Sequence, residues 1–116
     1  MEKKAKPKIL PPTLRVRRRY IKFKILSDDS IAYSDLEHAI WDAMFDFFGE
    51  DGVAKMDMWL IKNLYDEGQQ TGVIRCNNKS VQDVIAGLGL LTRLGDVRIV
   101  VKILRISGTI KGLKRK

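Results

Sequence analysis

Few residues in this sequence are able to do chemistry, and their spacing argues against a catalytic centre. The single histidine, His38, falls in the first turn of a helix-patterned segment among Asp and Glu, where an exposed imidazole with no special role is the simplest reading. Asp42 and Asp46 stand four apart on the polar side of that segment. Such a pair could hold Mg²⁺, but the pattern is that of a solvated helix face. Asp28-Asp29 lies between Ser27 and Ser30, which is turn chemistry more than a metal pair. Cys76 has no second soft ligand near it and reads as a thiol packed within a strand. One Cys and one His exclude a disulfide scaffold, a zinc finger and nearly every Cys/His metal site. No Ser/His/Asp spacing suggests a nucleophilic triad. The expectation is therefore a chain with no catalytic residue, no metal site and no cofactor of its own.

Charge is the stronger signal. The chain has 116 residues, 45% of them hydrophobic, which suffices for one compact domain with its own core. It carries 22 Lys+Arg against 14 Asp+Glu, a net +8. Residues 1–24 hold ten of the basic residues and one acid, and residues 101–116 hold six and none. The stretch between them, 25–100, is net −7. Two basic ends on an acidic body point to a polyanion, with nucleic acid the first inference, because releasing counterions from phosphates rewards clustered Lys and Arg. An acidic protein or an anionic membrane surface is the alternative. The lysine-rich start, Met1–Pro7, is followed by no apolar h-region, and no apolar run approaches the roughly 20 residues a spanning helix needs. A cytoplasmic, non-membrane protein is the expectation.

The elements that must position these charges follow from periodicity. Residues 1–12, with Pro11-Pro12, read as an extended or flexible basic arm, residues 13–107 as one domain, and residues 108–116 as a basic tail. In Arg15–Ile25 the apolar Ile21, Phe23 and Ile25 alternate with Arg18, Tyr20, Lys22 and Lys24, as in a strand with one apolar and one basic face. Ser34 and Glu37 have capping-box spacing, which predicts a helix from there to about Phe48, stopping before Gly49. Its core stripe is Leu36, Ile40, Met44 and Phe47, and Trp41, Phe45 and Phe48 form a second stripe beside it. Glu50–Asp57 reads as a loop, and Met58–Tyr65 and Gly72–Asn77 as strands joined by the polar loop 66–71. Val81, Val84, Ile85 and Leu88 mark a second helix with Ser80 at its cap, where Gly87 and Gly89 either weaken it or allow close packing. After a turn at Gly95-Asp96, Val97–Ile106 is the last strand, with Val97, Ile99, Val101 and Ile103 on one side.

The order β-α-β-β-α-β specifies an α+β, ferredoxin-like two-layer sandwich, an antiparallel sheet with both helices on one face. The other face is then open, and the first strand shows it Arg18, Tyr20, Lys22 and Lys24. Base stacking of the RRM kind is poorly supported, because the third strand offers Arg75 and no aromatic, and the RRM motif is absent. Phosphate and shape contacts to a folded RNA suit this face better. Candidate RNA-binding residues are Arg15, Arg17, Arg18, Tyr20, Lys22, Lys24 and Arg75, with Lys111, Lys114, Arg115 and Lys116 of the tail. Trp41, Phe45 and Phe48 belong either to the core or to a protein-docking face, since aromatics anchor interfaces.

Three segments resemble one family. Pro12-Thr13-Leu14-Arg15 followed by Arg18-Arg19-Tyr20-Ile21 is similar to the opening of the archaeal ribonuclease P protein component 2 family. Leu64-Tyr65 with Thr71-Gly72-Val73-Ile74-Arg75-Cys76 resembles its central hairpin, and Ser107-Gly108-Thr109-Ile110-Lys111 its closing motif. Eukaryotic relatives carry a longer acidic C-terminal extension, and an ending at Arg115-Lys116 resembles the archaeal form. The resemblance implies an accessory subunit of ribonuclease P, whose RNA subunit cleaves the 5′ leader from precursor tRNA using Mg²⁺. It implies ribonuclease P RNA, other ribonuclease P proteins and the barrel-like protein component 3 as partners, the last in pairs that can form a heterotetramer, and precursor tRNA as substrate of the whole particle. Two rivals remain: a general structured-RNA-binding or ribosome-associated module, and a small-molecule-binding or enzymatic ferredoxin-like domain.

Overall fold

The structure, a computed structural model, describes residues 17–114. Its centre is β1 (Arg18–Leu26), whose Ile21, Phe23 and Ile25 are buried while the alternate side chains are not. Antiparallel to it lie β3 (Thr71–Asn77) on one side and β6 (Val100–Ser107) on the other, and β2 (Trp59–Leu60) extends the sheet beyond β3. The order β2-β3-β1-β6 places the first and last long strands side by side, as the split β-α-β arrangement requires. Two helices, α1 (Tyr33–Met56) and α2 (Val81–Leu90), pack on the apolar face. Leu36, Ile40 and Met44 of α1 and Val84 and Leu88 of α2 close one continuous core over Ile21, Phe23, Ile25 and Ile74. Gly87 permits the helices their close approach: a Cβ there would strike the Met44 sulfur and lie 3.4 Å from the Phe48 ring. Among the described residues no helix is long and apolar enough to cross a membrane.

Helix α1 departs from its expected limits at both ends. It is capped by Ala32, not Ser34, and no side-chain capping bond forms. Tertiary contacts hold the entry instead. The Tyr65 hydroxyl donates to the Ile31 carbonyl at 2.6 Å, the Tyr33 hydroxyl donates to the Leu60 carbonyl at 3.1 Å, and the two rings meet at 5.9 Å. Burial pushes the pKa of both phenols up, which keeps them donors. Gly49 does interrupt the helix, at φ 74° and ψ 175°, but the chain resumes helical geometry through Met56 where a loop was expected. Val53 and Met56, three apart, bury themselves in the core and reward that extra turn. The core stripe advances by four each time, Leu36, Ile40, Met44 and Phe48, so Phe48 packs inward and Phe47 is 56% exposed, not a core residue.

Four further expectations change. The strand foreseen over Met58–Tyr65 is only Trp59–Leu60, followed by a 3₁₀ turn at Lys62–Leu64. Val97 belongs not to the last strand of the main sheet but to a separate two-stranded hairpin, β4 (Arg93–Leu94) with β5 (Val97–Arg98), closed by Gly95 at φ 61°. In β6 a bulge at Leu104 shifts the register, pairing Phe23 with Ile103 but Lys22 with Arg105. Finally, the described part of the tail contains a short helix, α3 (Ile110–Leu113), capped by the Thr109 hydroxyl accepting from the Gly112 N–H at 2.9 Å. It touches β1 and β6, and Leu113 is buried apart from the core under α1 and α2. The face expected to be free of helices therefore carries α3 over part of its area.

Candidate nucleic-acid interface

Strand register converts the alternation of β1 into a two-dimensional arrangement of charge. Residues paired across an antiparallel ladder share a face, so the partners of Arg18, Tyr20, Lys22 and Lys24 line the open face with them. On the β3 side these are Asn77, Arg75, Val73 and Thr71. On the β6 side Tyr20 faces Ser107, Lys22 faces Arg105, and Lys24 faces Lys102. Four basic side chains thus sit in two adjoining cross-strand rows. Rows on one face are two residues apart, roughly 6.7 Å. Lys102 and Arg105 complete these rows, although neither is among the candidates drawn from the sequence. Lys102 was legible as a member of the outward side of β6, whereas Arg105 reaches that face only through the Leu104 bulge.

The other sequence-derived candidates divide. Arg17 is exposed immediately before β1, its carbonyl accepting from the Asn78 N–H at 2.8 Å. Arg18 Nε lies 3.6 Å from Asp57 Oδ2, a half-exposed ion pair that contributes little to stability. Arg75 is half-buried between Tyr20 on β1 and Trp59 on β2, and its Nε is buried with no hydrogen-bond acceptor. Trp59, 59% exposed on this face, is an aromatic neighbour that was not singled out from the sequence. Lys111 and Lys114 are exposed on and just after α3, which brings tail charge to the sheet. Arg15, Arg115 and Lys116 lie outside the described residues.

On the helical side, Trp41 and Phe48 are half-buried against the core, and Phe45 is 43% exposed with its ring stacked on Trp41 at 5.9 Å. His38, Asp35 and Asp42 border a shallow cavity of about 450 Å³ under the β4–β5 hairpin. Among the described residues no three His, Cys, Asp or Glu side chains converge as metal ligands. Cys76 is buried, and burial, with Asp57 nearby, pushes its thiol up to about 11, so it is held as an inert neutral group. What the geometry offers is a surface of clustered cations.

The family model described as Rpp14/Pop5 matches residues 19–116. The chain belongs to the Rpp14/Pop5 family. It is 47% identical over 111 residues to Ribonuclease P protein component 2 of Pyrococcus furiosus, covering 96% of this chain and 91% of that one. The protein of the same name from Methanothermobacter thermautotrophicus is 34% identical over 113 residues, covering 94% and 91%. A chain in the cryo-EM structure of yeast ribonuclease MRP superposes with a TM-score of 0.64 at 17% identity, covering 82% of this chain and 76% of that chain. At that identity the likeness establishes a shared fold.

Proposed function

We propose that this protein is a protein subunit of ribonuclease P, the ribonucleoprotein that removes 5′ leaders from precursor tRNA. The similarity to component 2 proteins over nearly the whole of both chains carries this reading. The surface supplies a mechanism. Lys22, Lys24, Lys102 and Arg105, with Arg17 before them and Lys111 and Lys114 beside them, neutralise closely approached phosphates of the catalytic RNA. Folding of that RNA brings phosphates together, so a fixed basic surface lowers the Mg²⁺ concentration at which the active shape forms. Mg²⁺ remains the RNA's requirement, and catalysis remains the RNA's. The exposed Phe45 beside Trp41 offers an apolar anchor for a protein partner, which we assign to the barrel-like component 3.

Reconstitution of precursor-tRNA cleavage at limiting Mg²⁺ tests the proposal, comparing the RNA alone, with this protein, and with this protein plus component 3. Cleavage rescued by the pair is the expected result. No rescue by a folded pair, together with equal binding to unrelated structured RNAs, would favour a general RNA-binding module.

A further inference from the structure

The basic rows on the open face lead to a feature that phosphate neutralisation along a strand does not explain. Beyond the Lys24–Lys102 row, the next pair on the same face is Leu26 with Val100, both apolar and exposed, at 45% and 59%. They form the floor of a cavity of about 410 Å³ whose remaining lining is Thr92, Arg93, Arg98 and Ile99. That volume falls within the range of small-ligand clefts, about 300–1,000 Å³.

Arg93 and Arg98 are directly opposed in the β4–β5 hairpin. Their neighbours Leu94 and Val97, also a pair, pack into the core, so the two guanidinium groups point the other way. Like charges directly across a ladder oppose each other. Among the described residues neither arginine has an ion-pair partner, although Asp96 sits in the turn between them. The hairpin is held regardless, by Gly95 in its turn and by the Ile99 N–H donating to the Thr92 carbonyl at 3.0 Å. Asp28, Asp29 and Glu67 line a larger adjoining groove that shares Leu26 and Arg98 with this cavity, whereas no acid lines the smaller cavity itself.

Resting on the RNA-binding reading above, we propose that this cavity holds one unpaired nucleotide of the bound RNA. Its base lies on the Leu26–Val100 floor and its phosphate sits between Arg93 and Arg98. Each part of the site fits one part of that ligand. Apolar aliphatic surface accepts the flat base, paired guanidinium groups fork onto phosphate oxygens, and the Thr92 hydroxyl is available to base edge or ribose. A base locked in a duplex could not reach the floor. An acidic protein segment would satisfy the arginines but would leave the apolar floor open to water, and the continuity of the cavity with the Lys24–Lys102 row favours RNA.

The test uses the full chain and ribonuclease P RNA. Affinity is measured over a salt series for the wild type, for Arg93→Gln/Arg98→Gln, and for Lys22→Glu/Lys24→Glu. In a parallel arm, Val100 is replaced by a photo-reactive phenylalanine analogue and crosslinks are mapped in the reconstituted particle. The arginine variant is expected to melt no lower than wild type, to bind about tenfold more weakly, and to show a salt slope shallower by about 0.7, the release expected for one single-strand phosphate. The crosslink is expected on one unpaired nucleotide. If the arginine variant matches wild type in affinity and slope while the lysine variant binds poorly, the cavity is not a nucleotide site although the protein still binds RNA. If both variants match wild type, the RNA-binding reading fails, and this inference with it. Crosslinks to a protein or to a base-paired nucleotide would also overturn the proposal.

Discussion

Lys24 and Lys102 face each other directly across the β1–β6 ladder, and the next row on that face sets Lys22 against Arg105. Like charges at such positions oppose folding. Replacing Lys102 with Gln is therefore expected to stabilise the free protein by about 0.2–1 kcal/mol while weakening its hold on ribonuclease P RNA. Urea denaturation and a salt series of RNA binding check the two halves separately. A variant that lost stability would show that Lys102 does structural work at this position.

Phe23 and Gly72 are also cross-strand partners, and here the missing side chain matters. A Cβ on Gly72 would approach the Phe23 ring at 2.8 Å, and that ring is fully buried beneath the helices. Gly72→Ala is expected to cost about 1–3 kcal/mol from overpacking. Phe23→Leu in the same chain should return part of the loss, a coupling that a double-mutant cycle measures.

At Gly49 the cost lies in the backbone. Nothing stands within 4 Å of a Cβ there, but φ 74° with ψ 175° is a conformation open almost only to glycine. Gly49→Ala should destabilise by about 1–3 kcal/mol, read by thermal or urea unfolding. An unchanged stability would mean that the helix runs straight through this position.

These sites show which parts of the structure were legible in the sequence. The alternation of Ile21, Phe23 and Ile25 with Tyr20, Lys22 and Lys24 revealed β1 and its basic face, because a period of two has one physical meaning in a half-buried strand. Gly49 marked a helix break, yet the buried Val53 and Met56 that restart the helix are visible only against the finished core. The Leu104 bulge is a property of pairing, so the arrival of Arg105 beside Lys22 could not be read from β6 alone. The opposition of Arg93 and Arg98 likewise needs the hairpin register. Phe47 and Phe48 exchanged roles because steps of three and four both fit a helical stripe, and only packing on α2 decides between them.

Cys76 predicts a pH dependence. Its thiol is raised to about 11 from an ordinary value of 9.0, first by burial. The folded state holds this proton more tightly than the unfolded state, so the stabilisation is complete below about pH 9 and is lost as pH rises from 9 towards 11. Cys76→Ala should flatten that decline in stability measured across alkaline pH. Thiol-reactive probes should label the wild type only as fast as the chain opens.

The most direct measurement is the Mg²⁺ dependence of precursor-tRNA cleavage by particles reconstituted with wild-type protein or with Lys22→Glu/Lys24→Glu/Lys102→Glu. If the open face neutralises phosphates of the catalytic RNA, the variant particle needs a higher Mg²⁺ concentration for half-maximal cleavage and regains wild-type rates when Mg²⁺ is raised. A folded variant with an unchanged Mg²⁺ requirement would contradict the assignment of this face to the RNA.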